Sequence, residues 1–290
     1  MGGFCARTET AVRAFQEARG LRSDGICDEN TWMALVEASW KLGDRLLFLT
    51  SPNLRGDDVA DLQHGLSRLG FDCGRGDGIL GPRTSRALQD FQRNCGLPDD
   101  AVCGPDTVRA IAIVSSQSGT GPGVQAVREK ERLREGLGSL ADTRIVIGQF
   151  GALSGLARTL ARELRQRGAT VMSLDEPDPV AQALAANHFN AHAFVGFETS
   201  TETMAVATFY RVPTFESVGG RALAEGMAEQ LDGIGGLHFT ASGMRLPVLR
   251  ETRMPAVLLT MGPVRSVIDA TPSIAAGTLR ALELWISRAT

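Results

Sequence analysis

Two histidines four residues apart, His188 and His192, stand shortly before a carboxylate, Glu198, and these residue types together could hold a divalent metal. On one helix the i, i+4 spacing would put both imidazoles on a single face, as in two-histidine zinc sites. The run His192–Thr199 reads as a strand, however, which breaks the helical register between the pair. A second candidate position closes the apolar run Ala256–Met261, where Thr260 precedes Gly262 and Pro263. Strand ends of this kind often present functional side chains, yet a threonine hydroxyl does not accept a proton at neutral pH as a carboxylate does. Gln149, near the end of the run Arg144–Phe150, is a third. His64 and His238 stand alone, and no serine gathers a histidine and an acid into a nucleophilic triad.

The elements around these positions alternate. Strands are expected at 144–150, 169–174, 192–199, 204–212 and 255–261, with helices at 154–168, 177–190 and 217–231 and a last helix at 273–289. The segment leading into the last strand, "PVLRE", reads as a turn with a proline start. Such alternation predicts an α/β domain, its mostly parallel sheet covered by helices on both faces.

The first third is different. "RTETAVRAFQEARGLRSDGIC" (7–27) and "RTSRALQDFQRNCGLPDDAVC" (83–103) match at an offset of 76, with Phe15/Phe91, Gln16/Gln92, Asp24/Asp100, Cys27/Cys103 and Thr31/Thr107 among the identities, so the segment is duplicated. Each copy predicts a helix capped by Thr8 or Thr84, ended by Gly20 or Gly96, and followed by a second helix near Thr31 or Thr107. The second copy adds an earlier helix, "GDDVADLQHGLSRLGF", striped by Val59, Leu62, Leu66 and Leu69. Cys27 and Cys103 are expected to be small, buried, inert thiols. Together these features predict a multidomain chain: a truncated all-α repeat at 1–42, a complete one at 43–114, a Ser/Gly/Pro-rich and charged linker at 115–142, and the α/β domain at 143–290.

The chain of 290 residues has 43% hydrophobic and 22% charged residues and a net charge of −3, which gives no draw to nucleic acid or to an anionic membrane. No run approaches the roughly 18 apolar residues of a membrane-inserted helix. The N-terminus lacks a basic start and apolar core, and five cysteines fit no zinc-finger spacing. A reduced, cytoplasmic protein is expected.

The helical copies resemble the peptidoglycan-binding repeat that accompanies cell-wall hydrolases, on "GDDVADLQHGLSRLGF", "DGILGPRTSRALQDFQRNCGL" and "CGPDTVRAI". The resemblance implies a shallow muropeptide groove near Asp77, Gly78, Thr84 and Gln92. Their types also suit a turn, a cap and a brace. The α/β half resembles the type-3 family of zinc-dependent N-acetylmuramoyl-L-alanine amidases, on "AANHFNAHAFVGFET" and "LPVLRETRMPAVLLTMG". In that second motif Val248, Leu249, Arg250, Thr252, Met254, Pro255, Ala256 and Gly262 suit the family, and Arg250 is a candidate ligand contact.

The family holds zinc with two histidines and a glutamate and uses a second glutamate as base. By the resemblance, the first histidine's loop is replaced here by Gly148, Gln149, Phe150 and Gly151, and the loop carrying the zinc-binding glutamate is missing. Glu198 stands where the second histidine belongs, and Thr260 where the catalytic glutamate does. Zinc, the family's cofactor, is therefore not expected, nor is catalysis. The chain resembles degenerate amidase homologues of actinobacteria. That implies a regulator or sensor that binds peptidoglycan fragments or precursors and contacts a cytoplasmic precursor enzyme, such as the enolpyruvyl transferase. The alternatives are an active zinc amidase and a pure muropeptide sensor using Gln149, Glu198 and Thr260.

Overall fold

The computed structural model describes residues 4–117 and 138–288, which fall into two compact units. Most of the expected linker, with its charged stretch at 126–137, lies outside the described residues.

The N-terminal unit is built from α1 (Ala6–Arg19), α2 (Glu29–Ala38), α3 (Asp57–Arg68), α4 (Pro82–Asn94) and α5 (Pro105–Gln117). Val59, Leu62 and Leu66 of α3 pack with Ala87, Leu88 and Phe91 of α4 and Ile111 of α5 around one core. Gly20 and Gly96 end α1 and α4 in the left-handed region at φ 66° and 68°, where a glycine carries no Cβ penalty. The threonines do not cap. The residues before α1 and α4 are Cys5 and Gly81, neither giving a side-chain cap bond, and α4 opens on Pro82, whose missing N–H would have had no helical partner. Thr8 and Thr84 sit one turn further in. Only one of the paired thiols is as expected: Cys103 is buried, with its pKa pushed up to about 12 by burial, whereas Cys27 is exposed.

The C-terminal unit contains strands β1 (Arg144–Phe150), β2 (Thr170–Leu174), β3 (Ala193–Thr199), β4 (Met204–Val212), β5 (Phe215–Glu216), β6 (Thr240–Met244) and β7 (Ala256–Gly262). The sheet order is β2-β1-β3-β7-β4-β5, with β6 also on β4. Strands β2, β1, β3 and β7 are mutually parallel, and β4 runs antiparallel to β7, so the sheet is mostly parallel. The helices are α6 (Ser154–Gln166), α7 (Pro179–His188), α8 (Val218–Leu231), α9 (Pro247–Glu251), α10 (Val264–Asp269) and α11 (Thr271–Arg288).

One sheet face buries Ile145, Ile147, Val195, Phe197, Val257 and Leu259 under α6, α8 and α11. The other carries Gly148, Phe194, Gly196 and Leu258 and lies toward α7 and α9. The expected turn at 247–251 is the short helix α9, because Pro247 presets its first helical φ while Val248 and Leu249 are buried. Strand β6 was not legible, since "TASGM" has only half-buried or exposed positions and no apolar alternation.

Candidate functional site

The parallel strands β1, β3 and β7 end side by side, and their register assigns each candidate residue to a face. Phe150, Glu198 and Thr260 form one cross-strand row, and Gln149, Phe197 and Leu259 the row before it. Successive rows of a sheet point to opposite faces. Glu198 and Thr260 therefore share a face, and Gln149 belongs to the other. Gln149 thus does not line one cleft with Glu198 and Thr260.

Thr260 donates its hydroxyl proton to Glu198 Oε2 over 2.9 Å. Gln149 is buried. Its amide nitrogen donates to the Asp175 carboxylate, its backbone carbonyl accepts from Gln182 Nε2 at 3.0 Å, and its own Oε1 has no hydrogen-bond partner. Gln182 is fully buried above β1, so close to Gly148 that a Cβ there would lie 2.0 Å from its Oε1. Glycine at 148 thus makes room for an amide where the resemblance would place the metal loop. Arg250 is buried on α9.

The two histidines do not converge. His188 ends α7, while His192 lies beyond Asn190, whose φ of 51° turns the chain. His192 Nδ1 accepts from Arg144 N at 2.9 Å. Among the described residues, no group of three or more His, Cys, Asp or Glu side chains is placed to hold a metal ion. A zinc site of the family's type needs three protein ligands around an open position. Glu198 is one carboxylate, already accepting from Thr260, so the donor set does not fit zinc.

In the N-terminal unit, Asp77, Gly78 and Thr84 converge on Gln63, which the sequence pattern alone does not single out. Gln63 Nε2 donates to Asp77 Oδ1 at 3.1 Å, Ile79 O at 3.0 Å and Thr84 Oγ1 at 3.1 Å, and its Oε1 accepts from Gly78 N at 2.8 Å. Gln92 makes the same set one junction later, to Asp100, Val102 O and Thr107, accepting from Ala101 N. Gln16 repeats it with Asp24, Ile26 O and Thr31, accepting from Gly25 N. Three helix–loop–helix junctions are therefore built alike, each around a buried glutamine. Asp77, Gly78 and Thr84 belong to one of them and Gln92 to the next. In the other two junctions, hydrogen bonds from Ile26 N and Gln16, and from Val102 N and Gln92, hold Asp24 and Asp100 below the usual carboxylate range. A signal was present: an aspartate followed seven residues later by threonine recurs at 24/31, 77/84 and 100/107.

Helical junctions in the first unit and a mostly parallel, helix-covered sheet in the second are the two parts that the resemblance to peptidoglycan-binding repeats and amidases implies. The peptidoglycan binding domain family matches residues 1–35 and 55–111. N-acetylmuramoyl-L-alanine amidase CwlM of Mycobacterium tuberculosis is 35% identical over 300 residues, covering 92% of this chain and 73% of the relative. N-acetylmuramoyl-L-alanine amidase CwlL of Bacillus licheniformis is 30% identical over 126 residues, 37% of this chain and 35% of that protein. A solved N-acetylmuramoyl-L-alanine amidase from Clostridium difficile superposes on 50% of this chain and 97% of its own, with a TM-score of 0.41 and 15% identity. The chain belongs to the N-acetylmuramoyl-L-alanine amidase family.

Proposed function

We propose that this chain is a catalytically degenerate amidase homologue that works in the cytoplasm as a regulator or sensor of peptidoglycan synthesis. The observation that carries the proposal is the Thr260–Glu198 hydrogen bond. Those are the two positions at which the family resemblance calls for a base and a zinc-binding imidazole, and here they satisfy each other. A hydroxyl in place of a general base costs about 10²–10⁴-fold in rate. Five free thiols suit a reducing compartment. In this reading the repeats at 1–42 and 43–114 bind peptidoglycan fragments or precursors, and the domain at 143–290 contacts a cytoplasmic enzyme of precursor synthesis.

The test is metal analysis of protein purified without a metal-affinity tag, beside release of peptide from purified cell wall. Zinc far below one per chain and no peptide release are expected. Stoichiometric zinc with peptide release would overturn the proposal in favour of the second reading, an active zinc amidase, which the name of the mycobacterial relative favours.

A further inference from the structure

Strand β2 ends the sheet order, with β1 on one side and, among the described residues, no strand on the other. Its backbone groups divide between the two sides. Thr170 N donates to Thr143 O at 3.0 Å, and alternate residues of a strand turn to the same neighbour, so Thr170, Met172 and Leu174 bond toward β1. Val171 and Ser173 turn outward. Edge strands are commonly blunted by charge or proline, yet "TVMSL" has neither.

A row of arginines stands beside this edge. On one flank of α6, Arg167 pairs with Glu283 of α11; on the other, Arg165 Nη2 donates to Val171 O at 2.9 Å. Arg158 lies two turns before Arg165, and Arg162 between them, so all three face the edge side. All three are exposed, and Arg158 and Arg162 have no ion pair or hydrogen bond among the described residues. Arg13, Arg93, Arg109 and Arg221, by contrast, each pair with an acid three or four residues away on their own helix.

We propose that β2 accepts an extended segment of another protein as an added strand, a segment in which acidic and apolar residues alternate. Main-chain bonds to Val171 and Ser173 hold it, and an N–H of the new strand takes over Val171 O and frees Arg165. Val171 and Ser173 share the sheet face of Ile145 and Ile147 under α6, while Met172 and Leu174 are half-buried on the other face. Alternate side chains of the incoming strand therefore meet the arginines on one face and Met172 and Leu174 on the other. The spacing fits: residues two apart on a strand are separated by about 6.7 Å, and arginines four apart on a helix rise by about 6 Å. A second copy of the chain is disfavoured here, because a two-fold pairing of β2 edges would set one arginine row against the other. Such docking does not require the loss of catalysis.

Fluorescence anisotropy of the full chain with a labelled peptide of about eight residues, alternating glutamate and valine, tests this. Saturable binding is expected, with none to the lysine–valine counterpart. Arg158→Gln combined with Arg162→Gln weakens binding about two- to thirty-fold, the range for two exposed ion pairs. Ser173→Pro removes one outward N–H, spares the ladder to β1, and weakens binding about two- to ten-fold. An N-methylated glutamate–valine peptide, which cannot donate to the edge, reads the same ladder on the unaltered protein and is expected not to bind. No binding of the parent peptide at about 1 mM overturns the proposal. So does undiminished binding by the arginine variant or of the N-methylated peptide. Displacement of the peptide by an oligonucleotide of equal charge, or by vesicles of anionic lipid, also overturns it, since charge alone would then be read.

Discussion

Thr260 gives its hydroxyl proton to Glu198 from the next strand, across 2.9 Å within one register row. The two residue types are matched as a pair. A carboxylate at 260 would face the carboxylate of Glu198, and two like charges side by side cannot both ionise freely.

Two substitutions at 260 separate these effects. Thr260→Val removes only the donor and is expected to cost about 0.5–1.5 kcal/mol of stability, with little dependence on pH. Thr260→Glu is expected to cost about 1–3 kcal/mol at pH 7.5. Repulsion raises the folded-state pKa of the pair, so the variant's deficit grows as pH rises and shrinks toward pH 5. Urea denaturation at the two pH values measures both, and a Thr260→Glu protein as stable as the parent at pH 7.5 would refute the pairing.

Gln63 should matter to stability more than an ordinary surface glutamine. Its amide ties together the Asp77 side chain, the Ile79 carbonyl and the Thr84 hydroxyl in the buried interior. Gln63→Ala leaves these groups without their partner and is expected to cost about 2–4 kcal/mol. Thermal denaturation reads the loss. Gln92→Ala removes the same set of bonds from the next junction and is expected to cost a similar amount, so a role in binding is read from muropeptide affinity measured on the folded variant.

The sheet was legible because β1, β3 and β7 are buried on both faces and therefore read as continuous apolar runs. Glu198 and Thr260 were legible as chemically odd residues at the ends of such runs. Their hydrogen bond was not, because it depends on the register between two strands far apart in sequence. Register also removed Gln149 from the same cleft, since a one-row displacement reverses the face. In the helical copies the duplication at offset 76 was plain, but the third junction around Gln63 was hidden. Its glutamine lies 14 residues before Asp77, whereas Gln16 and Gln92 lie eight before theirs. Threonine is a frequent cap, but the start of α4 is set by Pro82 and Thr84 lies inside the helix.

The five thiols should divide sharply under alkylation. Cys5, Cys27 and Cys95 are exposed, and Cys73 and Cys103 are buried with pKa values pushed up to about 12, chiefly by burial. The Thr8 hydroxyl and nearby backbone amides lower the pKa of Cys5. Since the thiolate is the reacting species, iodoacetamide at pH 8 is expected to modify Cys5 first, then Cys27 and Cys95. Cys73 and Cys103 should react only in denaturant. Peptide mass spectrometry resolves the order, and early labelling of Cys103 would contradict the packing described here.

His192 should make stability depend on pH in a window of its own. Its Nδ1 accepts a proton-bearing bond from Arg144 N at 2.9 Å, so the folded protein holds this nitrogen deprotonated. Burial, and then the positive charge of Arg144, lower its pKa from 6.5. The unfolded chain therefore binds a proton first as pH falls. The stabilisation is complete above about pH 6.5 and declines as pH drops toward the lower folded-state pKa. Asp24 and Asp100, whose pKa values are lowered instead from 3.8, act in a separate window: their stabilisation is present above about pH 4 and is lost only below it. His192→Asn keeps an acceptor for Arg144 N but cannot titrate. It is expected to flatten the stability profile just below pH 6.5 while leaving the steeper acid limb unchanged. Urea midpoints at half-unit pH steps give both limbs, and an unaltered slope below pH 6.5 in His192→Asn would assign the window to another group.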